Sequence, residues 1–223
     1  MNDGVILVDK PAGMTSFGVV ARIRRVLSKN LPSGGPKKVK VGHTGTLDPF
    51  ATGLMIIVTG KECRNAGNYS KLDKVYETKI LLGKTSTTGD IEGEVTDVYD
   101  KIPEKDEILP ALDKFKGEIT QIPPIFSAIK IDGRRAYSLA REGKTVEMPE
   151  RKITIYELEM LDYDYPYLSL RAHVSSGTYI RTLAEDIGKA LQTGAYCVEL
   201  RRTKIADWDV KQAITLSSMG IIN

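Results

Sequence analysis

Two short stretches combine glycines with polar side chains in a pattern that could support chemistry. The first, GHTGTLDPFATG, covers residues 42–53 and contains Asp48, the only carboxylate between Asp9 and Glu62. Its glycines let the backbone turn sharply and approach a ligand, and one ionised carboxylate can then act as a base or a nucleophile. Asp followed by Pro is also typical of a helix start, and this alternative for Asp48 stays open. His43 is either a site residue or a structural turn histidine.

The second stretch, SSGTYIRTLAEDIG, covers residues 175–188 and centres on Arg181. Helical spacing places Gly177 and Ala184 one turn to either side of this arginine. Small neighbours let another backbone come close to the guanidinium, which is how an arginine is held inward against a carboxylate. The alternative is a surface pair between Arg181 and Glu185, worth at most a few tenths of a kcal/mol.

A third candidate is Tyr76, in the segment KVYETKI. In a strand its side chain points the same way as Thr78 and Ile80, so it is either a functional residue or a core tyrosine with a satisfied hydroxyl. A phosphate-binding P-loop ending at Gly83 is excluded, because the glycine required five positions earlier is Thr78. The two histidines and two cysteines lack metal-ligand spacing, so no zinc site is predicted.

The elements that must position these residues alternate irregularly between strands and helices, without the even spacing of repeated βαβ units. This pattern predicts a mixed α/β (α+β) fold around one large sheet. Strands are predicted at residues 4–10, 54–59, 75–82, 94–99, 153–161, 167–174 and 196–205. Helices are predicted at residues 17–29 with Ser16 as the cap, 103–116, 135–142 and 178–191.

Composition places the chain among folded globular proteins. Of its 223 residues, 41% are hydrophobic and 27% charged, which predicts a single domain over residues 1–223 rather than a disordered chain. Cys63 and Cys197 have no CxxC spacing, which favours a reducing compartment. Acidic residues near the start and the lack of a long apolar run argue against a signal peptide or a membrane span. We therefore expect a cytoplasmic protein that does not enter a membrane.

The net charge of +3 conceals an uneven distribution. Residues 1–44 hold eight basic and two acidic side chains, and residues 128–152 hold seven basic and four acidic ones. Residues 73–118 reverse the sign, with twelve acidic and seven basic side chains. A fold that gathers the first two regions on one side presents a positive face to a polyanion. The alternative is an ordinary solvated surface with scattered charges.

Taken in order, the motifs resemble the bacterial tRNA pseudouridine synthase B family, whose members isomerise a uridine in the T-loop of tRNA. The matching segments are GVILVDKPAGMTS, GHTGTLDPFATG, KVYETKILLG, TGDIEGEV, QIPPIFSAIKIDGRRAYSLAREG, SSGTYIRTLAEDIG and VELRRTKI. The resemblance implies the pseudouridine synthase fold, a large and mostly antiparallel mixed sheet around a central cleft. It also implies a monomer that binds the tRNA T-arm and needs no cofactor.

The resemblance further implies roles for individual residues. It makes Asp48 the catalytic aspartate, Tyr76 the ring that stacks on the target base, and Arg181 the partner of Asp48. Leu200 corresponds to an apolar wall of the uracil pocket, and residues 121–152 to a thumb-like insertion that grips the T-arm. The residues implied to line the site or contact RNA are Lys10, His43, Tyr179 and Lys130.

Three features depart from the family pattern. Residues 29–40 form a longer and more basic loop, which we expect to contact RNA, and Thr87 replaces an Asp that usually precedes Asp90. The chain stops at Asn223, so the family's small C-terminal RNA-binding domain is not expected. Two alternatives stay open, namely a guide-dependent pseudouridylase subunit and a non-catalytic RNA-binding protein on the same scaffold.

Overall fold

The structure is a computed structural model that describes residues 3–29, 31, 38–98, 101–131, 133–144 and 146–220. It confirms the predicted mixed α/β fold with a large mixed sheet. Most of the basic loop at residues 29–40 lies outside the described residues, so its expected contact with RNA stays a prediction. The α-helices in the described part are α1 (Ser16–Lys29), α2 (Ala66–Ser70), α3 (Lys105–Asp113), α4 (Ala136–Arg141) and α5 (Ile180–Ala190).

The strands are named here in chain order. They are β1 (Gly4–Lys10), β2 (Val41–His43), β3 (Thr52–Thr59), β4 (Lys74–Leu82), β5 (Lys84–Ser86), β6 (Val95–Asp97), β7 (Gly117–Gln121), β8 (Lys130–Ile131), β9 (Arg134–Arg135), β10 (Arg151–Asp164), β11 (Tyr167–Val174), β12 (Ala195–Ile205), β13 (Trp208–Asp209) and β14 (Ile214–Thr215). Two compact units divide the chain, and the boundary falls inside β4 and inside β12. The first unit is Met1–Tyr76 with Leu200–Asn223, and the second is Glu77–Glu199.

In the first unit, β3 is the central strand. Seven of its eight residues are buried, as expected for an apolar run covered on both faces. It pairs antiparallel with β1 and β2 and parallel with β12, and β1 pairs parallel with β14. Its inward side chains pack with Ile205 of β12 into a core that also takes up Trp208 and Tyr69. This sheet fixes both ends of the chain segment that carries Asp48.

In the second unit, β10 is the longest strand and pairs antiparallel with β7 and β11. Helix α5 buries an apolar side formed by Ile180, Leu183 and Ile187, as its periodicity predicted. Gly188 lets this helix approach the backbone that leads into β12, because a Cβ atom there would lie 2.3 Å from the nitrogen of Ala195. The helix that carries Arg181 therefore packs directly against the backbone at the start of β12.

The beginning of α1 differs from the prediction. Ser16 is the first residue of the helix, and Thr15 caps it by accepting a hydrogen bond from the Gly18 amide at 2.9 Å. The Ser16 hydroxyl instead bonds to Leu47, whose amide donates to it at 2.8 Å and whose carbonyl accepts from it at 2.9 Å. The predicted cap thus holds the loop around Asp48.

Three predicted helices, α3, α4 and α5, are shorter than their sequence patterns. Helix α3 begins at Lys105 behind a capping box in which Glu104 and Glu107 satisfy each other's backbone amides. Helix α4 is followed by Gly143, whose φ of 71° is the left-handed conformation typical of a helix end. None of the helices in the described part of the chain is long and apolar enough to cross a membrane.

We expect Gly188→Ala to lower the free energy of unfolding by about 1–3 kcal/mol, although alanine favours a helix by about 1 kcal/mol. The added methyl group would meet the backbone of Gly194 and Ala195, which cannot move without displacing β12. Denaturant unfolding measures the difference. Gly67→Ala is the matched control, since a Cβ there meets nothing within 4 Å. Equal stability of the Gly188 variant and the parent would contradict this packing.

Candidate active site

The loop between β2 and β3 presents Asp48 without regular secondary structure around it. No helix follows Asp48 in this described segment, so the helix-start alternative for this residue is wrong. The amide of Thr44 donates to Ile56 of β3 at 3.2 Å, and Leu47 is held by Ser16. Asp48 itself is half-buried. The loop is therefore tied to its surroundings directly ahead of the candidate catalytic carboxylate.

Lys10, at the end of β1, lies entirely inside the protein, with 0% of its surface exposed. Its ammonium donates to the carbonyls of Met14 at 2.7 Å, Pro11 at 2.8 Å and Pro49 at 3.2 Å. The last of these carbonyls belongs to the residue after Asp48. This burial favours a role for Lys10 in shaping the site over the implied contact with RNA.

His43 ends β2, five residues before Asp48. Burial lowers the pKa of its imidazole from the usual 6.5, and the positive charge of Arg202 lowers it further. The Nδ1 atom is buried and has no hydrogen-bond partner within the described residues. A proton placed on Nδ1 would find no acceptor there, so the structure favours a neutral ring with its hydrogen on Nε2.

Tyr76 and Leu200 are both largely buried in strands of the first unit, at 8% and 7% exposure. Tyr76 lies in β4, where inward and outward residues alternate along the whole strand, as predicted. Leu200 lies in β12 and is followed by two arginines. Burial of this degree fits a pocket wall and a core position equally, so the roles of both residues stay predictions.

Arg181, in the second unit, is buried with 4% exposure. Its guanidinium donates to the carbonyls of Thr88 at 2.7 Å and Phe126 at 2.9 Å, and it pairs with a carboxylate oxygen of Asp90 at 3.3 Å. The alternative of a solvated surface pair with Glu185 is therefore wrong. Backbone does come close to this arginine, as its small helical neighbours predicted.

Asp90 is a site residue that the residue patterns alone did not single out. One of its carboxylate oxygens accepts from the Thr88 hydroxyl at 2.6 Å and from the Glu92 amide at 2.9 Å, while the other faces Arg181. It is 3% exposed, and its backbone forms a parallel bridge with Cys197. The sequence signal that could have identified Asp90 is a carboxylate between two glycines, in the segment TGDIEG.

Glu185 lies one helical turn after Arg181. Burial raises the pKa of its carboxyl group above the usual value, and the opposing positive charges of Lys189 and Arg181 offset only part of that effect. A Cβ atom at Gly89 would lie 2.5 Å from a Glu185 carboxylate oxygen. The side chain thus packs against the turn that carries Asp90.

Tyr179 precedes α5 and is fixed by Gln121, a buried residue at the end of β7. The Tyr179 amide donates to the Gln121 side-chain oxygen at 2.8 Å, and the Gln121 side-chain nitrogen donates to the Tyr179 carbonyl at 3.0 Å. Gln121 was missed as a supporting residue. Lys130 is exposed in the short β8–β9 hairpin of the region predicted as the thumb, which leaves its side chain accessible.

The candidate residues divide between the two units. The first unit contains Asp48, Lys10, His43, Tyr76 and Leu200, and the second contains Arg181, Tyr179 and Lys130. The pairing of Asp48 with Arg181 stays a prediction. Within the described ranges, no group of three or more His, Cys, Asp and Glu side chains is arranged to hold a metal ion.

Two protein families match the chain. TruB family pseudouridylate synthase (N terminal domain) matches residues 33–180, and tRNA pseudouridylate synthase B C-terminal domain matches residues 181–220. Among curated relatives, tRNA pseudouridine synthase B of Cupriavidus metallidurans is 43% identical over 97% of this chain and 67% of its own length. The protein of the same name from Phocaeicola vulgatus is 43% identical over 96% of this chain and 90% of its own length.

Solved structures also resemble the chain. A crystal structure of a Cbf5-Nop10-Gar1 complex contains a chain of 32% identity with a TM-score of 0.72, and the match covers 96% of this chain and 52% of that one. An archaeal box H/ACA sRNP Nop10-Cbf5 complex gives 30% identity and a TM-score of 0.68, with 97% and 52% covered. This chain therefore spans about half the length of these solved relatives.

We expect the imidazole of His43 to titrate below 6.5 in the folded protein. On acidification the unfolded chain then takes up a proton at a higher pH than the folded protein does. The contribution of His43 to the free energy of unfolding is therefore present above pH 6.5 and is lost as the pH drops through the pKa of the folded protein. Nitrogen-15 NMR of the two histidines measures the pKa, and His43→Gln assigns the signals and should lose less stability in mild acid. A His43 signal titrating above 6.5 would contradict the burial argument.

Proposed function

The chain belongs to the TruB family of pseudouridylate synthases, and from this premise we propose that it converts the T-loop uridine at tRNA position 55 into pseudouridine. The observation that carries the proposal is the family match, which is continuous over residues 33–220. The curated relatives support tRNA as the substrate class, because those named here are called tRNA pseudouridine synthase B.

The reaction is an isomerisation that needs no oxidant or reductant. The bond from N1 of uracil to C1′ of the ribose breaks, the base turns while it stays bound, and C5 joins C1′. The proton on C5 is lost and N1 gains one, so the atoms balance without a cofactor. An ionised Asp48 would act at the sugar as nucleophile or base, and a single essential carboxylate is enough because the base is never released.

Arg181 would keep Asp48 ionised. A guanidinium within about 4–6 Å of a carboxylate lowers its pKa by one to three units. Arg181 is buried, and its hydrogen bonds to Thr88 and Phe126 and its ion pair with Asp90 hold the guanidinium in one orientation. A guanidinium fixed in this way has a defined direction in which to meet a second carboxylate.

The target uridine must leave the folded T-loop before any residue can reach it. Flipping a base costs a few kcal/mol, and stacking on the Tyr76 ring would return about 1–3 kcal/mol. Leu200 would form an apolar wall of the same pocket. Both side chains have the low exposure expected of a pocket that excludes water.

The RNA would be bound by its shape and its phosphates. Residues 121–152 would grip the T-arm, with exposed Lys130 on the phosphates and Tyr179 held beside the site by Gln121. His43 would contact the RNA as a neutral ring, and Lys10 would shape the loop. We further propose that the protein is monomeric and cytoplasmic.

The two rival functions are not favoured. A subunit of a guide-dependent enzyme would work in a complex, as the Nop10 and Gar1 partners of the solved relatives suggest for those proteins. Those chains are 30–32% identical to this one, whereas the curated tRNA-named relatives reach 43%. A purely RNA-binding protein is not favoured either, because the curated relatives named above are called synthases.

We expect the purified chain to form pseudouridine in an unmodified tRNA transcript without guide RNA or other proteins. Asp48→Asn should remove this activity while the protein stays folded, because an amide is neither a nucleophile nor a base at neutral pH. Mass-spectrometric mapping of the tRNA measures the product, and a transcript with cytidine at the target position is the control. Measurable turnover by the Asn variant would refute the role of Asp48.

Tyr76→Leu should slow the single-turnover rate about 5- to 150-fold, because loss of base stacking removes about 1–3 kcal/mol. Tyr76→Phe keeps the ring and should retain more activity than Tyr76→Leu. Saturating enzyme separates this effect from weaker tRNA binding. Tyr156→Leu is the surface control, since Tyr156 is an exposed β10 residue outside the proposed site. Equal rates for Leu and Phe at position 76 would argue against stacking.

A further inference from the structure

Arg202, in β12, has only 1% of its surface exposed. Its Nε atom donates to the Leu54 carbonyl of β3 at 2.7 Å. Its two terminal nitrogens donate to the carbonyls of Gly45 at 3.2 Å and Thr46 at 3.5 Å. The guanidinium thus joins a core strand to the loop at points two and three residues before Asp48.

One glycine makes this junction possible, and a second lies against the guanidinium. Gly53 lies opposite Arg202 in the parallel pairing of β3 with β12, and its φ of 108° is a left-handed value that favours glycine. A Cβ atom on Gly53 would lie 2.3 Å from the Arg202 carbonyl oxygen, so the strands approach too closely for any other residue. A Cβ atom on Gly45 would lie 3.4 Å from the Arg202 guanidinium, in van der Waals contact.

We propose that Arg202 is a positioning residue, which fixes the backbone of residues 45–46 and thereby sets the direction of the Asp48 carboxylate. This inference rests on the proposed function, because it assigns Asp48 the chemical step. Its physical basis is the planar fork of the guanidinium, which reaches acceptors on two separate segments at once. A lysine ammonium is a point charge without that geometry and cannot keep all three hydrogen bonds in the same arrangement.

The other anchors of the loop leave this task to Arg202. Ser16 bonds to Leu47, and Lys10 bonds to Pro49 after Asp48. Arg202 donates to the carbonyls of Gly45 and Thr46, and the same guanidinium bonds to Leu54 in the core strand β3. Thr44 is bonded to Ile56 and Leu47 to Ser16, so loss of the Arg202 anchor would release residues 45–46 between these two fixed points.

The test is Arg202→Lys, which keeps the positive charge. We expect tRNA affinity to stay within about threefold and the single-turnover rate to fall about 100-fold, the loss typical when a reacting group is misplaced by about 1 Å. Arg201→Lys, in the same strand, keeps the charge that pairs with Asp9 and should retain the parent rate within about threefold. A normal rate for Arg202→Lys would overturn the proposal.

Hydrogen exchange gives a readout that does not depend on activity. In Arg202→Lys the amides of Thr44 and Leu47, which flank the released carbonyls, should exchange faster, while the Ala51 amide and the amides in the β1–β3 pairing keep the parent rate. Acceleration of both sets together would indicate general destabilisation and overturn the positioning role. If the chain proves inactive on tRNA while the loop amides respond as expected, the proposed function fails and the anchoring by Arg202 stands.

Gly45→Val provides a second variant in case Arg202→Lys does not fold. A Cβ atom there is already in contact with the guanidinium at 3.4 Å, so we expect the two branches of valine to press on it and weaken its bonds to the loop while Arg202 is retained. The same result is expected, with tRNA binding kept and the single-turnover rate lost. A normal rate with normal loop exchange would again reject the proposal.

Discussion

Buried cations that are satisfied by backbone carbonyls are the constraint on which the candidate site depends. Removing an ammonium or a guanidinium from water is costly unless its hydrogens find acceptors. In this protein many of those acceptors are carbonyls of irregular segments, which have no hydrogen-bond donor from a helix or a sheet. The side chains concerned are Lys10, Lys74, Arg181 and Arg202. Each cation therefore fixes the position of a loop by the same hydrogen bonds that make its own burial tolerable.

The Asp48 loop shows why such anchors are needed. A residue in a helix or strand has its backbone groups paired within the element, whereas a loop that projects a side chain must find partners elsewhere. Here the donors come from β1, α1 and β12, and they lie 31 to 157 residues along the chain from the carbonyls that they bind. Lys74 does similar work at the start of β4, where it donates to the carbonyl of Leu72 in the loop after α2. Burial, and then the nearby charge of Arg202, lower the pKa of Lys74 to about 8.

The strands could be predicted from the sequence because their signals are local. The apolar run of β3 and the alternation of β4 reflect burial on two faces and on one face, and neither depends on distant partners. The conformation after Asp48 could not be predicted in this way. Asp followed by Pro favours a helix start locally, but donors from Ser16 and Lys10 reach the segment only in the folded chain. Tertiary hydrogen bonds outweigh the local preference there.

The sequence offered an inward direction for Arg181 as one of two alternatives, but it did not reveal the partners of the guanidinium. Gly177 and Ala184 indicate from sequence alone that something approaches the guanidinium. The carbonyls that do so, and the carboxylate of Asp90, lie 55 to 93 residues away along the chain. Gln121, which fixes Tyr179 from a similar separation, carries no motif of its own. Carbonyl acceptors are common to every residue type, so no pattern of side chains can reveal them.

Burial also changes what the number of basic side chains in residues 1–44 indicates. Residues 1–44 hold eight basic side chains, but Lys10 is buried and bonded to carbonyls inside the fold. It therefore adds little to the electrostatic field that a phosphate would meet at the surface. Exposed lysines such as Lys38 and Lys40 remain for that field. Composition cannot separate the two kinds of cation, because both are lysine or arginine in a basic segment. Burial separates them, because a buried cation holds backbone carbonyls in place whereas an exposed one can meet a polyanion.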